Sequence, residues 1–159
     1  MLYDLLCFSH LRWNFIYQRP HHLLSRYAQA NRVFFIEEPL FDARTTDHYH
    51  ITQINDTNLW VIVFHLEKDS QNKYVVERQR LLLSYLIEDM EIDEYMLWYY
   101  SPVALAYSDH LQAKLIVYDC MDELSAFRFA PPALQQKEKE LMQVADIVFT
   151  GGYSLYEAK

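Results

Sequence analysis

The chain has 159 residues, of which 52% are apolar and 16% aromatic, enough for one ordinary domain with a dense core and too few for two. Its 14 lysines and arginines stand against 22 aspartates and glutamates, a formal charge of −8 that disfavours nucleic-acid backbones and anionic lipid, since both need a net basic surface, so no nucleic-acid partner is expected. Gly151 and Gly152 are the only glycines, which excludes a G-x-G-x-x-G dinucleotide loop and a Walker P-loop, and with them the common kinase, NTPase and NAD readings.

Short apolar runs alternate with amphipathic stretches, the pattern of an α/β sandwich with helices packed on a mainly parallel, Rossmann-like sheet. Leu2 to Ser9 reads as a buried strand, His10 to Arg19 as a polar and aromatic loop, and Pro20 as the first residue of a helix reaching about Ala30. In that helix Leu23, Leu24, Tyr27 and Ala28 form the expected inner stripe. Arg32 to Glu37 is the second strand, completing a right-handed βαβ unit. Tyr49 to Asn55 and Leu59 to His65 alternate across Asp56, Thr57 and Asn58 as a hairpin would. A helix over Gln71 to Asp89 buries Val75, Gln79, Leu82, Leu83, Leu86 and Ile87. Next come a strand over Tyr95 to Tyr100, Ser101 and Pro102 opening a short helix, and a strand over Lys114 to Tyr118. Asp119 to Pro132 reads as a long loop, Ala133 to Val144 as a helix, and Asp146 to Thr150 as a strand turning through the glycines into a last helix.

Cys7 and Cys120 lie far apart without C-x-x-C spacing, which agrees with a reducing compartment. No signal-peptide pattern opens the chain, and its longest uncharged stretch, Tyr95 to Ser108, is too short to cross a bilayer. The expectation is a cytoplasmic protein whose contact with the inner face of the membrane is at most peripheral.

Ligands of open α/β sheets bind beyond the carboxyl ends of the strands. That rule nominates Ser9, His10, Arg12, Trp13, Gln18 and Arg19 after the first strand and Glu38 after the second. The later strands add Tyr100 with Ser101, Asp119 with Asp122 and Glu123, and Thr150 with Gly151. Planar hydrogen-bonding groups beside aromatic rings suit a carbohydrate, and free N–H groups at the Pro20 helix suit a phosphate or carboxylate. A structural role is equally available: Trp13, Phe15 and Tyr17 capping the sheet, Arg19 pairing with Glu37 or Glu38. Asp119, Asp122 and Glu123 could supply an acid and base or merely turn and cap residues. His48 and His50 share a strand face but lack a third ligand, so no metal is expected; Cys120 reads as a packed thiol.

Four ordered blocks, FSHLRWNFIYQRPHHLLSR from Phe8 to Arg26, VFFIEEP from Val33 to Pro39, YDCMDELSAF from Tyr118 to Phe127 and ADIVFT from Ala145 to Thr150, resemble the amino-terminal half of bacterial GT-B glycosyltransferases. More narrowly they are similar to the family 4 (group 1) enzymes of cell-envelope and exopolysaccharide synthesis that carry a W-x-x-x-x-Q-R-P loop. The resemblance implies that residues 1–159 form one acceptor-side domain, with the donor-binding carboxy-terminal domain outside it, because no glutamates here show the E-x7-E spacing of that half. It implies an acceptor site at Arg12, Trp13, Gln18 and Arg19, and catalytic roles for Asp119 and Asp122 in a loop facing the anomeric carbon. No bound cofactor is implied. The expected partners are a nucleotide-sugar co-substrate, a carbohydrate or lipid-linked acceptor, and the donor-binding domain. On this reading the isolated chain is inactive. The alternative is a non-catalytic module docking on a separate glycosyltransferase or a sugar-nucleotide enzyme such as a mutase. A flavodoxin-like receiver is disfavoured by Ser9 and His10 where an acidic pair is needed.

Overall fold

The computed structural model describes residues 3–68, 74–123, 130 and 132–159. Chain order is β1 (Asp4–Phe8), α1 (Arg19–Tyr27), β2 (Val33–Ile36), β3 (Leu40–Ala43), β4 (His48–Gln53), β5 (Leu59–Glu67) and α2 (Val75–Asp89). There follow β6 (Tyr95–Tyr99), a 3-10 turn (Pro102–Ala104) leading into α3 (Leu105–Ser108), β7 (Leu115–Cys120), α4 (Leu134–Val144), β8 (Ile147–Thr150) and α5 (Tyr153–Ala158).

The strands form one sheet in the order β3-β5-β2-β1-β6-β7-β8, with β4 paired to β5. All pairings are parallel except β4 with β5, whose antiparallel register (His48 opposite His65, Gln53 opposite Trp60) is the expected hairpin. β1 sits between β2 and β6, so the chain leaves it on one side through α1 and returns on the other through α2. That reversal opens a crevice at the carboxyl ends of β1 and β6, where open α/β sheets place their ligands.

Strand alternation divides the core in two. Leu6, Phe8, Phe34, Ile36, Ile62, Phe64, Leu97, Tyr99 and Tyr118 face α2, α3 and α4 and meet Leu82, Leu83, Leu86, Tyr107 and Leu141. Leu5, Cys7, Val33, Phe35, Leu59 and Val61 face the other way, onto Trp13, Leu24 and Ala28 of the α1 side. Because β1 and β2 are covered on both faces, they read as continuous apolar runs. At the β8 edge the cover thins, and Ile147 and Phe149 are exposed.

Four sequence expectations need correction. β3 was not foreseen: Leu40 opposite His65 and Ala43 opposite Glu67 continue β2 along β5, a pairing too short and irregular to leave a period. The inner stripe of α1 is Pro20, His21 and Leu24, while Leu23 is exposed, because the helix is rotated to bring His21 beneath the preceding loop. Phe15 and Tyr17 do not cap the sheet; Trp13 alone of that loop's rings is buried. Asp119 is in β7, not in a loop, and pairs in register with Phe149. The Gln71 to Lys73 part of the expected second helix, and much of the loop after Glu123, lie outside the described residues.

Candidate functional site

The β1 to α1 loop is held by two buried groups. Strand alternation puts Glu37, the residue after β2, on the α1 face below Val33 and Phe35. There its Oε1 accepts the Trp13 backbone N–H at 2.7 Å and its Oε2 accepts Arg12 Nη1 at 2.9 Å. Arg12 also donates to the Glu38 carbonyl at 2.7 Å. The second group is His21. Its Nδ1 accepts the Gln18 N–H at 2.9 Å, so Nε2 carries the proton and donates to the Trp13 carbonyl at 2.6 Å. Its ring lies 4.2 Å from the Trp13 ring, which meets Phe35 edge-on. Trp13 and Gln18 are thereby structural members of the loop.

Arg19, the first residue of α1, sends Nε to Asp119 Oδ2 at 3.0 Å. Asp119 is fully buried and Arg19 is 41% exposed, so the carboxylate anchors a guanidinium whose outer N–H groups have no partner among the described residues. Burial raises the Asp119 carboxyl above the usual range, and Arg19 pulls it back. The buried Tyr100 hydroxyl and Trp98 indole N–H lie beside the Asp119 carboxyl and, with Arg19, favour its charged form against burial. Burial beside Asp119 and Cys7 pushes the Tyr100 phenol well up, keeping it neutral. His10 is held down by burial, against Asp122 and the Tyr100 carbonyl, and is neutral at pH 7.

On the α2 side of the same edge, Ser9, Glu38, Gln79 and Ser101 join Pro39, Phe41, Val103 and Tyr107 around a groove of about 600 Å³. The Ser9 Oγ accepts the Leu11 N–H at 3.0 Å, fixing the turn out of β1. Partial burial of its carboxyl raises Glu38, with Arg12 opposing.

The structure therefore gathers Ser9, Glu38 and Ser101 in one groove and Arg19, Asp119, Tyr100 and His10 in a second cluster. Asp122 is exposed, and its carbonyl receives the Cys120 thiol at 3.6 Å. Thr150 ends β8, half-buried. Gly151 serves the backbone: its N–H donates to Cys120 O at 2.8 Å, and a Cβ would come 2.6 Å from Met121 O. Arg19 pairs with Asp119 and not with Glu37 or Glu38, because Arg12 already occupies Glu37. His48 stacks on His65, which binds Asp42; among the described residues no group of three His, Cys, Asp or Glu could hold a metal. Burial raises the Cys7 and Cys120 thiols, leaving them protonated and packed. Glu37 and His21 were missed as determinants. Only the strand parity of Glu37 signalled its role, and nothing in the His21-His22 pair marked the first as the buried one.

No protein-family model matches the chain, and no curated protein sequence does. Solved structures do. A trehalose-6-phosphate protein from E. coli, bound with UDP-2-fluoro glucose, superposes over 91% of this chain at TM-score 0.55 and 12% identity. The α,α-trehalose 6-phosphate synthase of Burkholderia multivorans superposes over 93% at TM-score 0.51 and 10% identity. The chain spans 39% of each of those chains. The shared feature is the fold, a Rossmann-like α/β sandwich with a mainly parallel sheet.

Proposed function

We propose that the chain is the acceptor-side domain of a nucleotide-sugar-dependent GT-B glycosyltransferase of the family 4 type, acting on an envelope or exopolysaccharide acceptor. The observation that carries this reading is the pairing, at one sheet edge, of an anchored cation with an open groove. Arg19, positioned by buried Asp119, offers its outer N–H groups to a phosphate or carboxylate. Beside it, the groove presents Ser9, Glu38 and Ser101 to hydroxyls and Phe41, Val103 and Tyr107 to C–H faces. A transfer needs an acceptor hydroxyl oriented and the departing phosphate's charge met. Glu38 would orient the hydroxyl, Arg19 would meet charge, Asp119 would position Arg19, and Asp122 would face the cleft from the mouth of β7.

A donor-binding half would supply the nucleotide-sugar site. Since the chain spans 39% of the matched chains, that half would be either a further domain or a separate protein on which this chain docks. The test is a transfer assay on the protein isolated from its host, with any stoichiometric partner retained, using labelled nucleotide-sugars and an extract of envelope saccharides. Transfer that falls about a hundredfold in Arg19→Ala, with unchanged circular dichroism, is the expected result. Undiminished transfer in that variant, or none with any donor, overturns the reading.

A further inference from the structure

The buried stripe of α2 is Gln79, Leu82, Leu83 and Leu86, so one carboxamide stands in line with leucines. Gln79 is only 6% exposed, yet its side chain has no hydrogen-bond partner among the described residues. A carboxamide carries two N–H donors and an acceptor oxygen, and enclosing it unpaired is destabilising, whereas a leucine there would extend the stripe at no such cost. Its polar atoms are not sealed into the core: the groove of about 600 Å³ is the opening they line. Two more buried groups share this condition. The Ser101 hydroxyl does not cap the 3-10 turn that follows it, and Tyr107, its ring edge-on to Phe8, brings to the same groove a phenol that burial keeps protonated beside Glu38. The remaining wall is apolar: Pro39, Phe41, Val75, Val103 and Ala104.

This wall selects among sugars. Glu38 is its only carboxylate and no cation lines it among the described residues, so a phosphorylated or acidic sugar would enter against like charge with nothing to neutralise it. A simple hexose satisfies Glu38, Ser101 and Tyr107 through hydroxyls but offers nothing to the apolar wall beside Gln79. That wall includes Val75, one turn before Gln79 and on the same side of α2. An acetamido substituent matches the two together. Its N–H and carbonyl are complementary to the acceptor and donors of the Gln79 carboxamide, and its methyl group suits Val75. Pairing there would satisfy a side chain that the fold itself leaves unpaired.

We propose that this groove is a subsite for a neutral, N-acetylated sugar, in which Gln79 reads the acetamido group while Glu38, Ser101 and Tyr107 take hydroxyls. This names the acceptor class of the groove and rests on the acceptor reading given above. The experiment is saturation-transfer NMR on the 159-residue chain, with dissociation constants from titration. The ligands are the methyl glycosides of N-acetylglucosamine, N-acetylgalactosamine, glucose and galactose, and glucose 6-phosphate. At least one acetamido glycoside is expected to bind at least about tenfold more tightly than its parent hexoside, with the strongest transfer to the acetamido methyl, and glucose 6-phosphate is expected not to bind. Gln79→Leu, similar in volume, should abolish that preference and raise the melting temperature, because an unpaired carboxamide leaves the stripe; circular dichroism verifies that the fold is kept. Equal binding of acetamido glycosides and parent hexosides overturns the inference and leaves the acceptor reading standing, whereas no binding by any of the ligands overturns both. Tightest binding by glucose 6-phosphate, a preference retained in Gln79→Leu, or a lower melting temperature in that variant would each overturn the inference as well.

Discussion

Replacing Glu37 by alanine tests whether one buried carboxylate holds the site loop. The variant removes the acceptor of the Trp13 N–H, a buried donor, at a cost of about 1–3 kcal/mol. It removes one of the two acceptors of Arg12, which is 36% exposed, for at most about 1 kcal/mol. Loss of packed methylene adds about 1 kcal/mol. The expected total is about 2–5 kcal/mol, a large share of the roughly 5–15 kcal/mol that holds a domain of this kind together. Glu37→Gln keeps a carbonyl oxygen for the Trp13 N–H and gives up only the ion pair, so it should cost less than half as much. Urea unfolding at pH 7, followed by tryptophan fluorescence and far-ultraviolet circular dichroism, gives both values, and hydrogen exchange at the Trp13 amide should quicken in the alanine variant. If the alanine variant stays within about 1 kcal/mol of wild type, or the glutamine variant is equally costly, Glu37 is not the clamp described above.

Gly151→Ala should lower stability by about 1–3 kcal/mol in a thermal melt, because its Cβ would come 2.6 Å from the Met121 carbonyl and backbone must move; Gly152→Ala, with open space around it, should cost far less. His10 is held below its ordinary value by burial, so its contribution is present above about pH 6.5 and is lost as pH falls through the lower folded value. Stability measured down that range should drop less in His10→Gln than in wild type. Asp119 has the opposite sign: a carboxyl raised by burial contributes stability at low pH that is lost as pH rises through its folded value. Asp119→Asn should therefore remove a component that declines between acid and neutral pH, and a steeper decline in the variant would contradict the assignment.

The parallel sheet was legible because its strands are buried on both faces and write themselves as apolar runs, VFFI in β2 and LLCF in β1. The β4 and β5 hairpin was legible through alternation on the exposed side. β3 left no trace, since its first three residues are exposed and its ladder is broken. At the site, the chain showed which residues arrive at the sheet edge but not which arginine takes which acid. Arg12, Arg19, Glu37, Glu38 and Asp119 admit several pairings, and the choice follows from parity. Glu37 shares a face with Phe35 beneath Trp13, while Asp119 shares a face with Val117 and so lies open to the first turn of α1. Asp119 belongs to β7 and not to the expected loop because the ladder to β8 continues past it, with Asp119 opposite Phe149 and Cys120 opposite Thr150.

The central place of β1 has a consequence during synthesis. It is made before the other strands of this sheet that the structure describes, and one edge finds β2 once Val33 follows, but the other must wait for Tyr95 to Tyr99 of β6. At about 5–20 residues per second that wait is roughly 5–20 s. Throughout it the strand Asp4–Phe8 presents an unpaired apolar edge on the nascent chain, a template for wrong pairing until the second half of the sheet emerges.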